Sequence, residues 1–153
     1  MPASWRDWDS DMQATADVEL CSQFSRKCAT FSALLDSGAD VSLLNRDAAE
    51  RRLGKNAIVY FPEPLKVRAA NGQKSITAVG VASLQLAIDD CRTDIPRQFL
   101  VIEKLAKEVS IGVDLMEAIG VELTFRTGGR ETMLRVKECP KATTVHTVLG
   151  RGQ

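Results

Sequence analysis

The chain has 153 residues, of which 44% are apolar and 26% are charged, so it can bury a modest core in one domain. Lysine plus arginine and aspartate plus glutamate number 20 each, which gives a formal net charge of zero. Nucleic acids and anionic membranes attract basic surfaces, so this balance argues against either as a direct partner. The composition therefore predicts a globular protein rather than a disordered one.

The four cysteines, Cys21, Cys28, Cys91 and Cys139, form no CxxC pair, and the single histidine is His146. This spacing does not match a zinc site, so neither a metal nor a cofactor is predicted. Free thiols in a reducing compartment are the expected state. The N-terminus lacks an apolar signal core and no apolar run approaches membrane-spanning length, which predicts a cytoplasmic location.

Residues 1–15 are polar without a sustained period, and we predict that they form a flexible leader. Two strands are predicted next, Ala16–Leu20 and Lys27–Leu35. The polar segment Ser22–Arg26 is expected to form the turn between them. The folded domain is predicted to span residues 16–137.

The second strand leads directly into a loop that carries a carboxylate. The segment Phe31–Leu44, FSALLDSGADVSLL, places Asp36 between two apolar runs. A buried Asp is costly unless it is hydrogen-bonded or functional. Asp-Ser-Gly alone is typical of an ordinary hairpin turn. The two leucines before it, with Ala39 and Ser42 after it, favour a functional loop instead.

This loop resembles the active-site loop of the retropepsin-like aspartic proteases, which occur in retroviral and retrotransposon polyproteins. Their pattern is two aliphatic residues, Asp, Thr or Ser, Gly and Ala, with a Ser or Thr shortly afterwards and then aliphatic residues. The residues that match it here are Leu34, Leu35, Asp36, Ser37, Gly38, Ala39, Ser42 and Leu44. The resemblance implies a mainly β, closed-barrel acid-protease fold with one short helix and one catalytic loop per chain.

A short strand and a helical turn are predicted after the loop. Val41–Leu44 has the composition of a buried strand, Asn45 is a suitable helix N-cap, and Gly54 is a suitable stop. Further along, Ile95–Ile102 is predicted to be another strand, with Pro96 near its start.

A hairpin is predicted between these two regions. Leu65–Ala69 and Lys74–Ile88 flank Asn71-Gly72, and Asn-Gly is a strong hairpin signal because both residues tolerate positive φ. The hairpin resembles the flap that these proteases fold over a bound peptide, although its tip has a single glycine. The residues that correspond to the flap tip are Ala70, Asn71, Gly72 and Gln73.

A second signature lies in Val109–Phe125, VSIGVDLMEAIGVELTF. We predict that Asp114 caps a short helix, Leu115–Ile119, and that the strand Val121–Phe125 follows. Alone, this would be an ordinary strand–helix–strand corner. Following the DSGA loop and the hairpin, it resembles the family's second signature, in which Gly112 would let the backbone pass close behind the catalytic loop.

Two residues depart from the family's second signature. Ser110 stands where an aliphatic residue is usual. Val113 stands where retroviral members often carry an arginine that pairs with the aspartate at the position of Asp40. The role near the substrate backbone that the resemblance implies for Asp40 therefore lacks its usual partner.

The C-terminal region shows a weaker pattern. Glu131–Lys137 is predicted to pair with Val121–Phe125 after a glycine-rich turn. Residues 138–153 are predicted to be a flexible tail.

The resemblance implies the site residues. Those implied for catalysis are Asp36, Ser37 and Gly38, and those implied for substrate binding are Ala39, Asp40, Ala70, Asn71, Gly72 and Gln73. Amide hydrolysis of this kind requires two carboxylates that share one proton, and the chain contains one such loop. A second Asp36 is therefore expected from a second copy in a homodimer.

Three functions remain open. The first is an aspartic endopeptidase that processes a polyprotein, taking an extended peptide in the cytoplasm or within virus-like particles. The second is a cellular domain of the ubiquitin-shuttle or domesticated-retroelement type, which usually carries further domains. The third is a catalytically silent dimerisation or peptide-binding module. The intact Asp36, Ser37 and Gly38 favour catalysis, whereas the glycine-poor flap tip and Val113 leave the silent module open.

Overall fold

A computed structural model describes residues 12–36, 40–68, 75–88, 91–92, 96–119, 121–125, 131–136 and 142–149. In these ranges the strands are β1 (Met12–Ser22), β2 (Cys28–Leu35), β3 (Leu43–Asn45), β4 (Val59–Arg68), β5 (Ser75–Ile88), β6 (Cys91–Arg92), β7 (Arg97–Ile102), β8 (Val109–Ile111), β9 (Val121–Phe125), β10 (Glu131–Val136) and β11 (Ala142–Leu149). The helices are α1 (Arg46–Arg52) and α2 (Val113–Ile119), with a 3-10 turn at Lys55–Ala57. No described helix is long and apolar enough to cross a membrane.

Six of the strands close into a barrel in the order β5, β7, β3, β8, β2 and β1, with β1 returning to β5. The closing pair runs antiparallel from Val18 opposite Ile88 to Ser22 opposite Leu84. The β2–β8 and β3–β7 pairs are parallel and the other pairs in the ring are antiparallel. The prediction of a mainly β, closed-barrel fold is thereby confirmed.

The core fills this barrel because successive strand residues point to opposite faces. In β5 the residues from Ala82 to Leu86 follow this alternation, with Leu84 and Leu86 fully buried. Full burial of one such side chain contributes about 2 kcal/mol. The largest fully buried side chains include Phe31, Phe99, Leu20, Leu35, Leu44, Leu53 and Ile102.

Helix α1 begins and ends where the sequence predicted. The Asn45 side chain accepts a hydrogen bond from the Ala48 N–H at 3.0 Å, as an N-cap does. Leu53 is the C-cap, and Gly54 follows with φ of 87°, a conformation that favours glycine. The predicted helical turn is a seven-residue helix, so the described part has a second short helix beside α2.

The predicted hairpin is present as β4 and β5, with Arg68 opposite Ser75. Its first arm is longer than the predicted Leu65–Ala69, because β4 begins at Val59. The register shifts between Tyr60 and Leu65, in a segment that contains two prolines unable to donate ladder hydrogen bonds. Next to this irregularity a Cβ on Gly80 would overlap the backbone carbonyl oxygen of Val59.

The two ends of the described chain lie together in one sheet. Strand β11 pairs with β1, with Met12 opposite Leu149, and also with β10. The predicted pairing of β10 with β9 is confirmed. The prediction of a flexible tail is wrong for residues 142–149, and residues 12–15, assigned to the leader, belong to β1. Backbone pairing stabilises these segments, and a weak hydrophobic pattern does not reveal it.

The prediction of free thiols is wrong for one pair of cysteines. Cys21 and Cys28 stand opposite each other on β1 and β2, with Cα atoms 4.0 Å apart, and they form a disulfide. Their separation of seven residues becomes a contact only once the register of the hairpin is fixed. The side chains of Cys91 and Cys139 lie outside the described part of the chain.

A polar cluster of Arg46, Glu50 and Tyr60 joins α1 to β4. Arg46 Nε lies 3.2 Å from Glu50 Oε2, and the Tyr60 hydroxyl donates a hydrogen bond to the same oxygen. This bond from Tyr60 is the largest cause lowering the pKa of the Glu50 carboxyl, with help from Arg46. Burial, followed by the bond to Glu50, raises the pKa of Tyr60.

The Tyr60→Phe substitution is expected to destabilise the protein by about 1 kcal/mol near neutral pH, because it removes a hydrogen bond to a partly exposed charged group. The folded-state pKa of Glu50 lies below its ordinary value of 4.5. Its contribution is therefore present above that pH and is lost as the pH falls through the folded-state pKa. Urea unfolding should show the difference between wild type and Tyr60→Phe shrinking between about pH 7 and about pH 3. An equal difference at both pH values would contradict this account.

Candidate active site

Asp36 lies at the end of β2, where this strand runs parallel to β8 with Leu35 opposite Ile111. The Asp36 N–H donates a hydrogen bond to the Ile111 carbonyl oxygen at 2.9 Å, extending the ladder by one residue. The residue is half-buried. The backbone that carries this carboxylate is therefore held by a buried strand rather than by a free loop.

Seven of the predicted site residues lie outside the described residues, namely Ser37, Gly38, Ala39, Ala70, Asn71, Gly72 and Gln73. Their roles remain predictions. The hairpin strands β4 and β5 that flank the predicted flap tip are described, and they pair up to Arg68 and Ser75.

Asp40 is described and exposed. Its carbonyl oxygen accepts a hydrogen bond from the Asp114 N–H at 3.3 Å. The second half of the loop is thus joined through its main chain to the first turn of α2.

Ser42, among the described residues of the loop, has a buried side chain that makes several hydrogen bonds. The Ser42 hydroxyl donates to Asp114 Oδ1 at 2.9 Å and accepts from the Gly112 N–H at 3.0 Å. The Ser42 N–H also donates to Asp114 Oδ2 at 3.3 Å. One hydroxyl therefore satisfies a buried backbone donor and a carboxylate together.

Asp114 has a role that the sequence prediction missed. It was expected to cap a helix beginning at Leu115, but the helix begins at Val113 and Asp114 lies in its first turn. The carboxylate accepts from the Leu115 N–H at 2.7 Å as well as from Ser42. Ser42 matches the first family signature and Asp114 matches the second. These two matches were the features of the sequence from which their contact could have been predicted.

These contacts bring the two sequence signatures together. The main chains of Asp36 and Asp40 are hydrogen-bonded to those of Ile111 and Asp114, respectively. The Ser42 hydroxyl is hydrogen-bonded to both Gly112 and Asp114. The segment 36–42 is therefore anchored at both ends on β8 and α2. Chemically, one rigidly held carboxylate can accept a proton from water, but a separate acid is needed to protonate a substrate oxygen in the same step.

Metal-ligand residues do not gather around Asp36 in the described part of the chain. The group of potential ligands found together is Glu19, Cys21 and Cys28. This group lies at the opposite end of β2, and its two sulfur atoms are joined in the disulfide.

Comparison with known proteins supports the fold. No protein-family model and no curated protein matches the sequence. The crystal structure of the retroviral protease-like domain of Ddi1 from Leishmania major matches with a TM-score of 0.56 at 19% identity, covering 91% of this chain and 98% of that one. EIAV protease complexed with the inhibitor HBY-793 matches with a TM-score of 0.52 at 17% identity, covering 72% and 91%.

The fold is that of the retroviral protease-like domains. Identities below one fifth show this fold alone, so the activity of the chain has to be argued from its own residues.

Proposed function

We propose that this chain is an aspartic endopeptidase of the retropepsin-like type and that it acts as a homodimer. The observation that supports the proposal most directly is the position of Asp36. It ends a barrel strand, its N–H is bonded to Ile111, and its loop is anchored on the second signature through Ser42. This arrangement fixes the main chain that carries a carboxylate, in a fold shared with retroviral protease-like domains.

The chemistry requires two copies of this carboxylate. A single Asp with a pKa near its ordinary value of roughly 3.9 is fully ionised at neutral pH and cannot donate a proton. Two adjacent Asp36 carboxyl groups cannot both ionise easily, so they hold one proton between them. The pair then titrates as a unit.

In the proposed reaction, the ionised Asp36 accepts a proton from a water molecule while the water oxygen attacks the peptide carbonyl carbon. The protonated Asp36 of the other subunit donates its proton to the carbonyl oxygen. The first Asp36, now protonated, gives its proton to the amide nitrogen of the tetrahedral intermediate, and the C–N bond breaks. A hydroxyl of the intermediate returns its proton to the Asp36 of the other subunit, and the products are an amine and a carboxylic acid. No covalent bond to the enzyme forms at any stage.

The proposed substrate is an extended peptide. Such a peptide can pair with strands through main-chain hydrogen bonds, and its alternate side chains enter pockets on opposite sides. Ala39 and Asp40 are proposed to contact the peptide from the side of the catalytic loop. The flap tip is proposed to contact it from the other side through Ala70, Asn71, Gly72 and Gln73. The long β4–β5 hairpin supports this assignment, because it supplies the two paired arms that a flap needs.

The second copy is proposed to dock on the strands near the two chain ends, which are β1, β11, β10 and β9. The family resemblance implies that N- and C-terminal strands of the two subunits interleave. In this chain β1 already pairs with β11, and β9 ends the described strand order with β10 as its neighbour there. The twofold axis of such a dimer has to pass between the two Asp36 loops, because their carboxyl groups share one proton.

A second candidate is a cellular retropepsin-like domain rather than a polyprotein protease. The likeness to the Ddi1 domain from Leishmania major favours it, because the match covers 98% of that chain. Both candidates place Asp36 in the same role. They differ in the substrate, which would be a cellular protein in one case and a polyprotein in the other.

Cleavage of a peptide library by the full chain, at mildly acidic and neutral pH, tests the proposal. We expect specific activity to rise with protein concentration over the range in which sedimentation shows dimer formation, because a monomer holds half of the site. Cleavage by a strictly monomeric species would contradict the dimeric mechanism. A stable dimer that cleaves no peptide at either pH would instead support the silent binding module.

A further inference from the structure

A cluster outside the proposed catalytic site gathers at the turn end of the β1–β2 hairpin. It contains the Cys21–Cys28 disulfide, in which Cys21 is 7% exposed whereas Cys28 is exposed to solvent. Arg92 Nη1 donates to Cys21 Sγ at 3.3 Å, and Arg92 Nη2 lies 2.6 Å from Glu19 Oε1. Cys28 begins β2 and Asp36 follows its end, so this cluster is separate from the proposed catalytic loop.

The strand register brings the charged partners together. Glu19 stands opposite Ala87, and Ala87 stands opposite Arg92, so the three residues form one row across β1, β5 and β6. Residues in such a row project from the same face of a sheet. The contact between Arg92 and Cys21 is therefore built into the strand pairing.

We propose that Cys21–Cys28 is a thiol–disulfide exchange site for a small-molecule thiol, with Cys28 as the attacked sulfur and Cys21 as the leaving sulfur. Exposure favours attack at Cys28, because an incoming thiolate must approach along the S–S bond. The guanidinium of Arg92 then lies beside the Cys21 thiolate as it forms, and a neighbouring cation stabilises a thiolate.

The exchange balances with two molecules of thiol. The first thiolate bonds to Cys28 Sγ, the S–S bond breaks, and its electron pair goes to Cys21 Sγ. A second thiolate attacks the small-molecule sulfur of this mixed disulfide and releases the Cys28 thiolate. The protein disulfide gains two electrons, its two sulfur atoms take up protons from solvent, and the two small thiols are oxidised to their disulfide.

The hairpin keeps the two sulfur atoms close after reduction. The Ser22 N–H donates to the Lys27 carbonyl oxygen at 2.9 Å, and the Ser22 hydroxyl accepts from the N–H groups of Phe24 and Ser25 at 3.2 Å. None of these bonds involves a cysteine sulfur. The turn can therefore hold the thiols in register for reoxidation.

A metal site is the competing interpretation, since Glu19, Cys21 and Cys28 offer ligand atoms within 4.8 Å of one another. Arg92 argues against it. Its guanidinium contacts both the Glu19 carboxylate and the Cys21 sulfur, so a metal cation would have to displace a positive charge. Glu19 Oε1 also lies 3.6 Å from Cys21 Sγ, and its pairing with Arg92 offsets the negative charge that would oppose the anionic sulfur produced by exchange.

The test uses the full chain in glutathione buffers of defined ratio. Trypsin cuts after Arg26 and Lys27, so a disulfide between Cys21 and Cys28 joins two tryptic peptides that mass spectrometry can identify. We expect the joined peptides in oxidising buffer, their loss in reducing buffer, and their recovery on return. Their absence in every buffer would overturn the proposal.

The role of Arg92 is tested by the rate of reduction. We expect Arg92→Gln to slow it by roughly three- to tenfold, because the leaving thiolate loses its neighbouring cation, whereas Arg92→Lys stays within about twofold of wild type. Arg51→Gln is the matched control, since it removes an exposed cation on α1. The Arg92 side chain is 47% exposed, so its variants are expected to fold, which circular dichroism checks. Equal rates in Arg92→Gln and Arg51→Gln would contradict the assignment of Cys21 as the leaving sulfur.

Discussion

Asp36→Asn is expected to lower peptide hydrolysis at least about 10³-fold while leaving the fold intact. Asparagine has nearly the same shape but cannot accept a proton from water. In a homodimer one substitution alters both halves of the site, so neither the proton acceptor nor the proton donor remains. The hydrogen bond from the Asp36 N–H to Ile111 belongs to the main chain and is retained.

The measurement is kcat/KM on a peptide chosen from the library, at mildly acidic and neutral pH. Asp47→Asn serves as the control, because Asp47 is an exposed carboxylate in the first turn of α1 and undergoes the same chemical change. It should retain activity within about twofold. Sedimentation of both variants shows whether the dimer persists. Hydrolysis by Asp36→Asn at the wild-type rate would exclude Asp36 as the catalytic acid and base.

Ser42→Ala is expected to lower the free energy of unfolding by about 3 kcal/mol. This figure combines the loss of a hydrogen bond to a carboxylate with the cost of leaving a buried N–H unsatisfied. The hydroxyl is buried between the Gly112 N–H and Asp114 Oδ1, and alanine can serve neither. The loop that carries Asp36 would also lose an anchor, so kcat should fall as well.

Urea unfolding measures the effect, with Ser32→Ala as the control because Ser32 is an exposed serine of the neighbouring strand β2. The control should change stability by less than about 0.5 kcal/mol. A double-mutant cycle with Asp114→Ala isolates the contact: if Ser42 and Asp114 interact as the distances indicate, the two losses are not additive. Purely additive losses of unfolding free energy would show that the hydrogen bond between Ser42 and Asp114 does not stabilise the fold.

Local features of this protein could be predicted because their causes are local. Asn45 caps α1 through a bond to a residue three positions away, and Gly54 follows the helix with a positive φ. The hairpin of β4 and β5 was predicted from the Asn-Gly pair in the sequence between its arms and from the alternating pattern of the second arm. The end of β2 at Asp36 follows from an apolar run that stops at a carboxylate. The sequence alone therefore determined the order of the elements from β1 to β5 and the position of the candidate catalytic loop.

The tertiary structure decided what depends on distant pairing. Ser42 and Asp114 are 72 residues apart, and their hydrogen bond exists only because β3, β8 and α2 meet in the barrel. The disulfide depends on the register that sets Cys21 opposite Cys28, and the contact of Arg92 with Cys21 depends on two further strand pairs. Strand β11 is held by β1 from the other end of the chain. Side-chain patterns record which face of a strand is buried, but they do not record which strand lies beside it.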